Sequence, residues 1–272
     1  MGLFDGKKGL ILGVANDHSI AWAIAEKIMD AGGECGFSHL PDRPDDERQR
    51  NRRRVALLTD KCEAAKFLVP MNVCKDEDIQ AVMERAKEEF GKIDFLLHSI
   101  AFANLDDLKR DTVETSRDGF KMAMEISAYS LIAVCNAAKS ILSENAAVLT
   151  MTYFGGEKAV PGYNVMGICK AALDASVRYL AYDLGAQGVR VNAVSAGPVR
   201  TLAGRGAGVE DMLLLYEKMA PLGRNISHEE VGHSGAFLLS DAAGGITGEI
   251  MHVDAGYNIM GSPGRLLDGH QA

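Results

Sequence analysis

Short apolar runs and helix-period stripes alternate along this chain from end to end. Lys7 to Val14 is an apolar strand that runs into Gly13. Ser19 to Ala31 follows as a helix, with Ile20, Ala23, Ile24 and Ile28 at helical spacing and Gly32-Gly33 as its stop. Residues 35–39 read as a second strand, Phe67 to Met71 as a third and Ile93 to Leu97 as a fourth. Between the third and fourth, Asp76 to Phe90 is a helix that turns Ile79, Val82, Met83 and Ala86 inward. A long helical region spans Ser116 to Leu142, and Ala147 to Met151 is the fifth strand. A further helix carries Ala171, Ala172, Leu173, Ala175, Val177, Leu180 and Leu184, with Pro161 near its start. Val189 to Val194, a helix over Glu229 to Leu239, and Ile250 to Val253 complete the alternation.

Strands separated by helices throughout predict an α/β fold, a doubly wound parallel sheet of Rossmann type with helices on both faces. No internal repeat or linker divides residues 1–272, so one domain is expected. A hydrophobic fraction of 47% with 24% charged residues supports a large core. The formal charge of -8 argues against nucleic acid as a partner, because phosphate binding is driven by Lys and Arg. Cys35, Cys62, Cys74, Cys135 and Cys169 are scattered, without a CxxC or a His cluster, so no metal site and reduced thiols are expected. No run approaches the ~20 apolar residues of a membrane span, and the first residues carry charge where a leader would be apolar. The expectation is a soluble cytoplasmic protein with no membrane partner. Residues 41–54 carry charges of both signs; they read as a solvated loop entering a helix, or as arginines near an adenosine ribose.

In such a sheet ligands gather beyond the carboxyl ends of the strands. The first strand is followed by Gly13-Val14-Ala15-Asn16-Asp17-His18-Ser19-Ile20-Ala21, in which only Gly13 survives of the dinucleotide fingerprint. Small Ala15 and Ser19 would still let backbone N–H groups approach a pyrophosphate at a helix N-terminus. After the second strand, where an acid would meet the ribose 2′-OH, stand His39 and Leu40, with Asp42 and Arg43 later. That position leaves NAD and NADP both open. Asn72-Val73 could meet adenine, and Ser99-Ile100-Ala101-Phe102-Ala103 is small and apolar enough to pass beneath ribose and nicotinamide. Thr152-Tyr153-Phe154-Gly155-Gly156 follows the fifth strand, and Val199-Arg200-Thr201-Leu202-Ala203 the sixth, where Thr201 could bond a carboxamide.

Tyr163 and Lys170 lie seven positions apart on the predicted helix, so nearly two turns bring both side chains to one face, ~10 Å apart along the axis. A phenol and an ammonium aimed alike can do proton and electrostatic chemistry on one ligand. On its own such a pair is common; six loops in register on one edge are not.

With these loops the chain resembles the short-chain dehydrogenase/reductase family, and more closely its divergent bacterial enoyl-acyl carrier protein reductase branch. The likeness runs from about Gly6 to Gly256. Ordinary members space the tyrosine and lysine as Tyr-x3-Lys; here Met166 stands at that distance and the tyrosine is at x6. That spacing, Ser19-Ile20-Ala21, Tyr153 ten residues before Tyr163, and the 199–203 run belong together in the enoyl reductases. The resemblance implies reduction of an enoyl thioester carried by acyl carrier protein, with Tyr153, Tyr163 and Lys170 as catalytic residues. It implies a cofactor site made by Gly13, Ala15, Ser19, Ile20, Leu40, Asn72, Val73, Ser99, Ile100, Ala101, Lys170, Val199, Thr201 and Ala203. The acyl site would be formed by Ala103, Tyr153, Tyr163 and Met166, beneath a mobile lid at about residues 200–219. Leu40 and Asn72 depart from the pattern; NADH is the expected cofactor, with NADPH possible through Arg43. A homotetramer is expected on the same ground. The alternatives are a ketoacyl or hydroxy-compound dehydrogenase, and a non-catalytic dinucleotide-binding regulator on the same fold.

Overall fold

A computed structural model describes residues 2–202 and 209–267. Strands β1 (Lys8–Leu12), β2 (Glu34–His39), β3 (Ala65–Pro70), β4 (Ile93–His98), β5 (Leu142–Thr152), β6 (Arg190–Ala196) and β7 (Ile250–Val253) form one sheet. Its order is β3-β2-β1-β4-β5-β6-β7, with every pair parallel. The order reverses between β1 and β4, which opens a crevice at their carboxyl ends. Leu12, His98, Thr150, Ala193 and Ile250 stand side by side across the rung that ends the central strands.

Strand side chains alternate between two cores, as the pleat requires. Leu10, Leu12, Leu96 and Val148 enter one core with α3 (Asp76–Phe90), α6 (Ser130–Ala138) and α7 (Asn164–Gly185). Ile11, Phe95, Leu97, Ala147 and Leu149 enter the other with α1 (Ile20–Asp30), α2 (Arg50–Thr59) and α9 (His228–Leu239). Both faces are therefore covered, as the doubly wound reading expects. The run at 41–54 is a mainly exposed loop that passes into α2, whose first turn is held by Asp42: its carboxylate accepts from the Asn51 and Arg52 N–H groups. Among the described residues no helix is long and apolar enough to cross a membrane.

Two expectations need correcting. The helical region expected over Ser116 to Leu142 is α5 (Arg117–Met124), a π-helical turn over Glu125–Tyr129, and α6 in unbroken succession, but it ends at Ala138 and β5 begins at Leu142. Ser127 and Ser130 account for the wide turn. Ser130 Oγ donates back to the Ile126 carbonyl at 2.6 Å, and Ser127 Oγ is bonded to the Phe102 backbone. The early start of β5 has no alternating pattern to announce it: Leu142 pairs with Ile93, the register then shifts, and Asn145 takes a left-handed φ of 66°. The second correction concerns Tyr163. It stands just before α7 as its N-cap, and the helix begins at Asn164 with φ 36°. Asn164 pins that start to the end of α4 (Leu105–Lys109), donating through Nδ2 to the Leu108 and Arg110 carbonyls at 2.8 and 2.6 Å.

Candidate active site

The loop after β1 is shaped by one hydroxyl. Ser19, the N-cap of α1, accepts the Ala15 and Asn16 N–H groups on its Oγ at 3.0 and 3.1 Å. Gly13 has φ 105°, and a Cβ there would lie 2.1 Å from the Ser99 carbonyl oxygen, so glycine is needed for the loops after β1 and β4 to meet. Ser19 thus stands at the start of α1, with Gly13 and Ala15 the small residues of the loop before it, and Ile20 opens the helix. At the end of β2, His39 is buried and its Nδ1 lies 3.0 Å from the Leu40 carbonyl, whereas Leu40 is 63% exposed. Asp42 is committed to α2, which leaves that strand end without a carboxylate ready for a ribose. The Asn72 side-chain oxygen accepts the Cys74 N–H at 3.1 Å, so any bond to an adenine falls to its amide nitrogen; Val73 is buried beside it.

The loop after β4 is clamped by Ser127, whose Oγ accepts the Phe102 N–H at 2.9 Å and donates to the Phe102 carbonyl at 3.0 Å. Ser99 and Ile100 are half-buried and Ala101 is exposed. Ala103 packs with Tyr163 against Met166, Val165 and Cys169, which brings three of the expected acyl-site residues into one cluster. Below the sheet rung, His98 is fully buried between Thr150 Oγ1 at 3.1 Å and Ser130 Oγ at 2.8 Å. Burial, reinforced by the Lys170 charge, pushes its pKa down to about 3, so the imidazole is neutral.

At the end of β5 stand the two tyrosines and the lysine singled out by the sequence. Tyr153 and Tyr163 meet edge to face with ring centroids 4.7 Å apart. Gly155 makes room for this: a Cβ there would lie 2.5 Å from the Tyr163 ring. Lys170, 5% exposed, donates from Nζ to the Met151 carbonyl at 2.7 Å. Its ammonium therefore sits at the sheet's ligand edge even though Tyr163 lies outside the helix. Burial pushes the Lys170 pKa down to about 8, against the Asp174 and Cys169 charges. Burial raises the Tyr163 phenol well above its ordinary value, so it remains a hydrogen-bond donor. Asp174, one turn beyond Lys170, is buried beside Thr152, and its carboxyl is raised by burial.

On the β6 side Val199 is buried and Thr201 half-buried. Ala203 and the rest of 203–208 lie outside the described residues, so of the expected lid only its flanks are described. One flank is α8 (Val209–Met219), anchored at its start by a two-fold Arg200–Glu210 ion pair, both bonds 3.1 Å. Sequence reasoning missed three residues here: Ser127, Asp174 and Tyr216. Tyr216 and Asp174 gave a signal that went unused, since a polar tip on an otherwise apolar helical stripe asks for a partner.

The profile described as enoyl-(acyl carrier protein) reductase matches residues 13–258. A Nostoc protein named as an NADH-dependent enoyl-acyl carrier protein reductase is 48% identical over 94% of this chain and 98% of its own. A Bacillus cereus protein of the same name is 49% identical over 96% of this chain and 100% of its own. The chain belongs to the enoyl-acyl carrier protein reductase family. Solved members of that family share its fold. The reductase of Anaplasma phagocytophilum in complex with NAD superposes with a TM-score of 0.89 at 42% identity, covering 96% of this chain and 97% of that one. The Bacillus cereus reductase with NADP+ and an indole naphthyridinone gives 0.90 at 48% identity, covering 96% and 100%. In this reductase family setting, the x6 spacing of Tyr163 and Lys170 coincides with a tyrosine held before the helix, not on it.

Proposed function

We propose that this protein reduces the trans-2 double bond of enoyl-acyl carrier protein thioesters in fatty acid synthesis, with NADH as reductant. The observation that carries the reading is what meets at the end of β5: two tyrosine rings in edge contact, and a buried ammonium bonded to the Met151 carbonyl of the same strand. The residues fit a bound dinucleotide. Among the described residues Lys170 has three N–H donors and one carbonyl acceptor, an incomplete shell for a buried cation that ribose hydroxyls would fill. The Gly13–Ser19 loop places small side chains before a helix N-terminus, as a pyrophosphate needs.

NADH, when bound, supplies hydride to the β-carbon of the enoyl thioester. Negative charge then develops on the thioester oxygen, where Tyr163 donates a hydrogen bond, a role commonly worth ~3 kcal/mol, and a proton from water taken up at the α-carbon completes the saturated thioester. Its raised pKa keeps the phenol proton in place for that donation. Lys170 holds the ribose hydroxyls and adds positive potential to the same site. Tyr153, Ala103 and Met166 line the acyl chain, which suits the apolar cluster they belong to or border. Support for homotetramer assembly comes from α7, where Tyr179 and Tyr182 are 75% and 85% exposed. A cytoplasmic setting follows from the acyl carrier protein substrate.

Oxidation of NADH and of NADPH, followed by absorbance with crotonyl and acetoacetyl thioesters, tests the reading. Turnover of the crotonyl thioester, faster with NADH, is the expected result. Turnover of the acetoacetyl thioester alone points to a ketoacyl reductase, and turnover of neither to a binding protein.

A further inference from the structure

Tyr216 has no part in the reading above, yet it makes a hydroxyl-to-hydroxyl contact with a residue that does. It lies on α8, is 3% exposed, and donates from its hydroxyl to the Tyr153 hydroxyl at 3.1 Å. Its ring is stacked on Tyr257, centroids 3.7 Å apart and planes within 11°. Tyr257 in turn meets Phe154 edge to face at 5.9 Å, and Phe154 adjoins Tyr153 in the chain. The Tyr216 ring thus has little freedom, and its hydroxyl is delivered to one place.

That delivery has a chemical consequence. A phenol can accept a hydrogen bond and donate one at the same time. Because Tyr216 is the donor, Tyr153 keeps its own proton. The partner of that proton is the Met212 sulfur at 3.8 Å, one helical turn before Tyr216 on α8. A thioether is a weak acceptor, readily exchanged for an oxygen. A hydrogen bond into the Tyr153 oxygen also stabilises whatever negative charge grows there as the proton is shared.

We infer that Tyr216 is a positioning residue for enoyl reduction, holding Tyr153 by its oxygen so that the Tyr153 proton faces the acyl site. The inference rests on Tyr153 lining the acyl site of an enoyl thioester reductase. It makes α8 more than a cover: the helix that lies over the acyl chain also orients a group at the reacting end. Tyr216 itself touches no reacting atom.

A double-mutant cycle tests it. Tyr216→Phe keeps the stack on Tyr257 and removes only the hydroxyl. With crotonyl thioester and NADH, its kcat should fall about tenfold, the worth of one ordinary hydrogen bond. NADH affinity by fluorescence titration should match the wild type, and the melting temperature should fall only by the small amount that one lost hydrogen bond costs. Tyr153→Phe should fall at least as far, and the double variant should equal Tyr153→Phe alone. A packing role would multiply the two losses, and a multiplied loss overturns the inference. So does a Tyr216→Phe enzyme with wild-type kcat. A wild-type protein that binds NADH but leaves crotonyl thioester unreduced would instead remove the reductase reading, and this inference with it.

Discussion

The loop after β1 and the loop after β5 end at the same edge of the sheet, yet they are held by different forces. Residues 13–19 are fixed through the backbone: two amides share the Ser19 hydroxyl, and the Gly13 backbone meets the Ser99 carbonyl too closely for any Cβ. Side chains add to that shape mainly at Asn16, whose Oδ1 accepts the His18 N–H at 3.1 Å, and at Val14, which is buried in the core. Residues 153–163 are fixed through rings, with Tyr163 against Tyr153 and Tyr153 beneath Tyr216. A backbone-held loop can bind a phosphate with many sequences, because N–H groups do the binding. A ring-held site depends on which side chains are present. The difference explains how a cofactor loop can lose two fingerprint glycines, while the tyrosines and the lysine keep a recognisable spacing.

The largest effects should therefore come from the ring-held end, and they should separate chemistry from binding. Tyr163→Phe removes the phenol proposed to meet the developing oxyanion. Its kcat is expected to fall roughly 10²–10³-fold with NADH affinity nearly unchanged. Lys170→Ala removes the buried cation at the sheet edge and should abolish measurable NADH binding in the titration that the Tyr163 variant passes. Equal loss of NADH binding in both variants would contradict the division of roles.

A pH series sharpens the same contrast. Burial lowers the Lys170 pKa to about 8 in the ligand-free protein. Below that value the ammonium is charged and suited to an anionic dinucleotide; above it the site must take up a proton to bind equally well. NADH affinity should be flat below about pH 8 and fall up to tenfold per pH unit above it. Lys170→Arg, charged at every pH in the series, should lose this dependence. A wild-type affinity that holds level to pH 10 would show that Lys170 stays charged in the free site.

The sheet was legible because its signal is local: apolar runs such as Leu10-Ile11-Leu12 and Phe95-Leu96-Leu97 reach both cores through the pleat. The helix Asp76–Phe90 was legible to the residue, with its inward stripe at Ile79, Val82, Met83 and Ala86. The start of β5 was not, since Ser143-Glu144-Asn145 pair only because β4 lies alongside with a shifted register. The π-turn depends on Ser127 reaching Phe102, a bond between residues 25 apart in sequence that no periodicity reports. At the site, the spacing of Tyr163 and Lys170 was read as two side chains on one helical face, and the tyrosine stands before the helix instead. Tyr163 is placed by Asn164 and Gly155 instead of by a helical face. Tyr216 escaped notice because its partner is 63 positions away and its own helix looked like an apolar cover.

The smallest expected effect probes the backbone-held end. Ser19→Ala deletes the hydroxyl that accepts the Ala15 and Asn16 amides and leaves the α1 backbone in place. Those amides lie beside the crevice, so once freed they can turn to water or to a bound phosphate. The fold should lose about 1 kcal/mol, the net worth of a hydrogen bond, read as a small drop in denaturant midpoint at unchanged slope. NADH affinity should fall a few-fold, through the ordering the loop must then undergo on binding. The kcat at saturating NADH should not move, because the described bonds of the Ser19 hydroxyl stay within its own loop. If kcat did fall in Ser19→Ala, the two ends of the edge would be mechanically joined, and the contrast between a backbone-held and a ring-held half would fail.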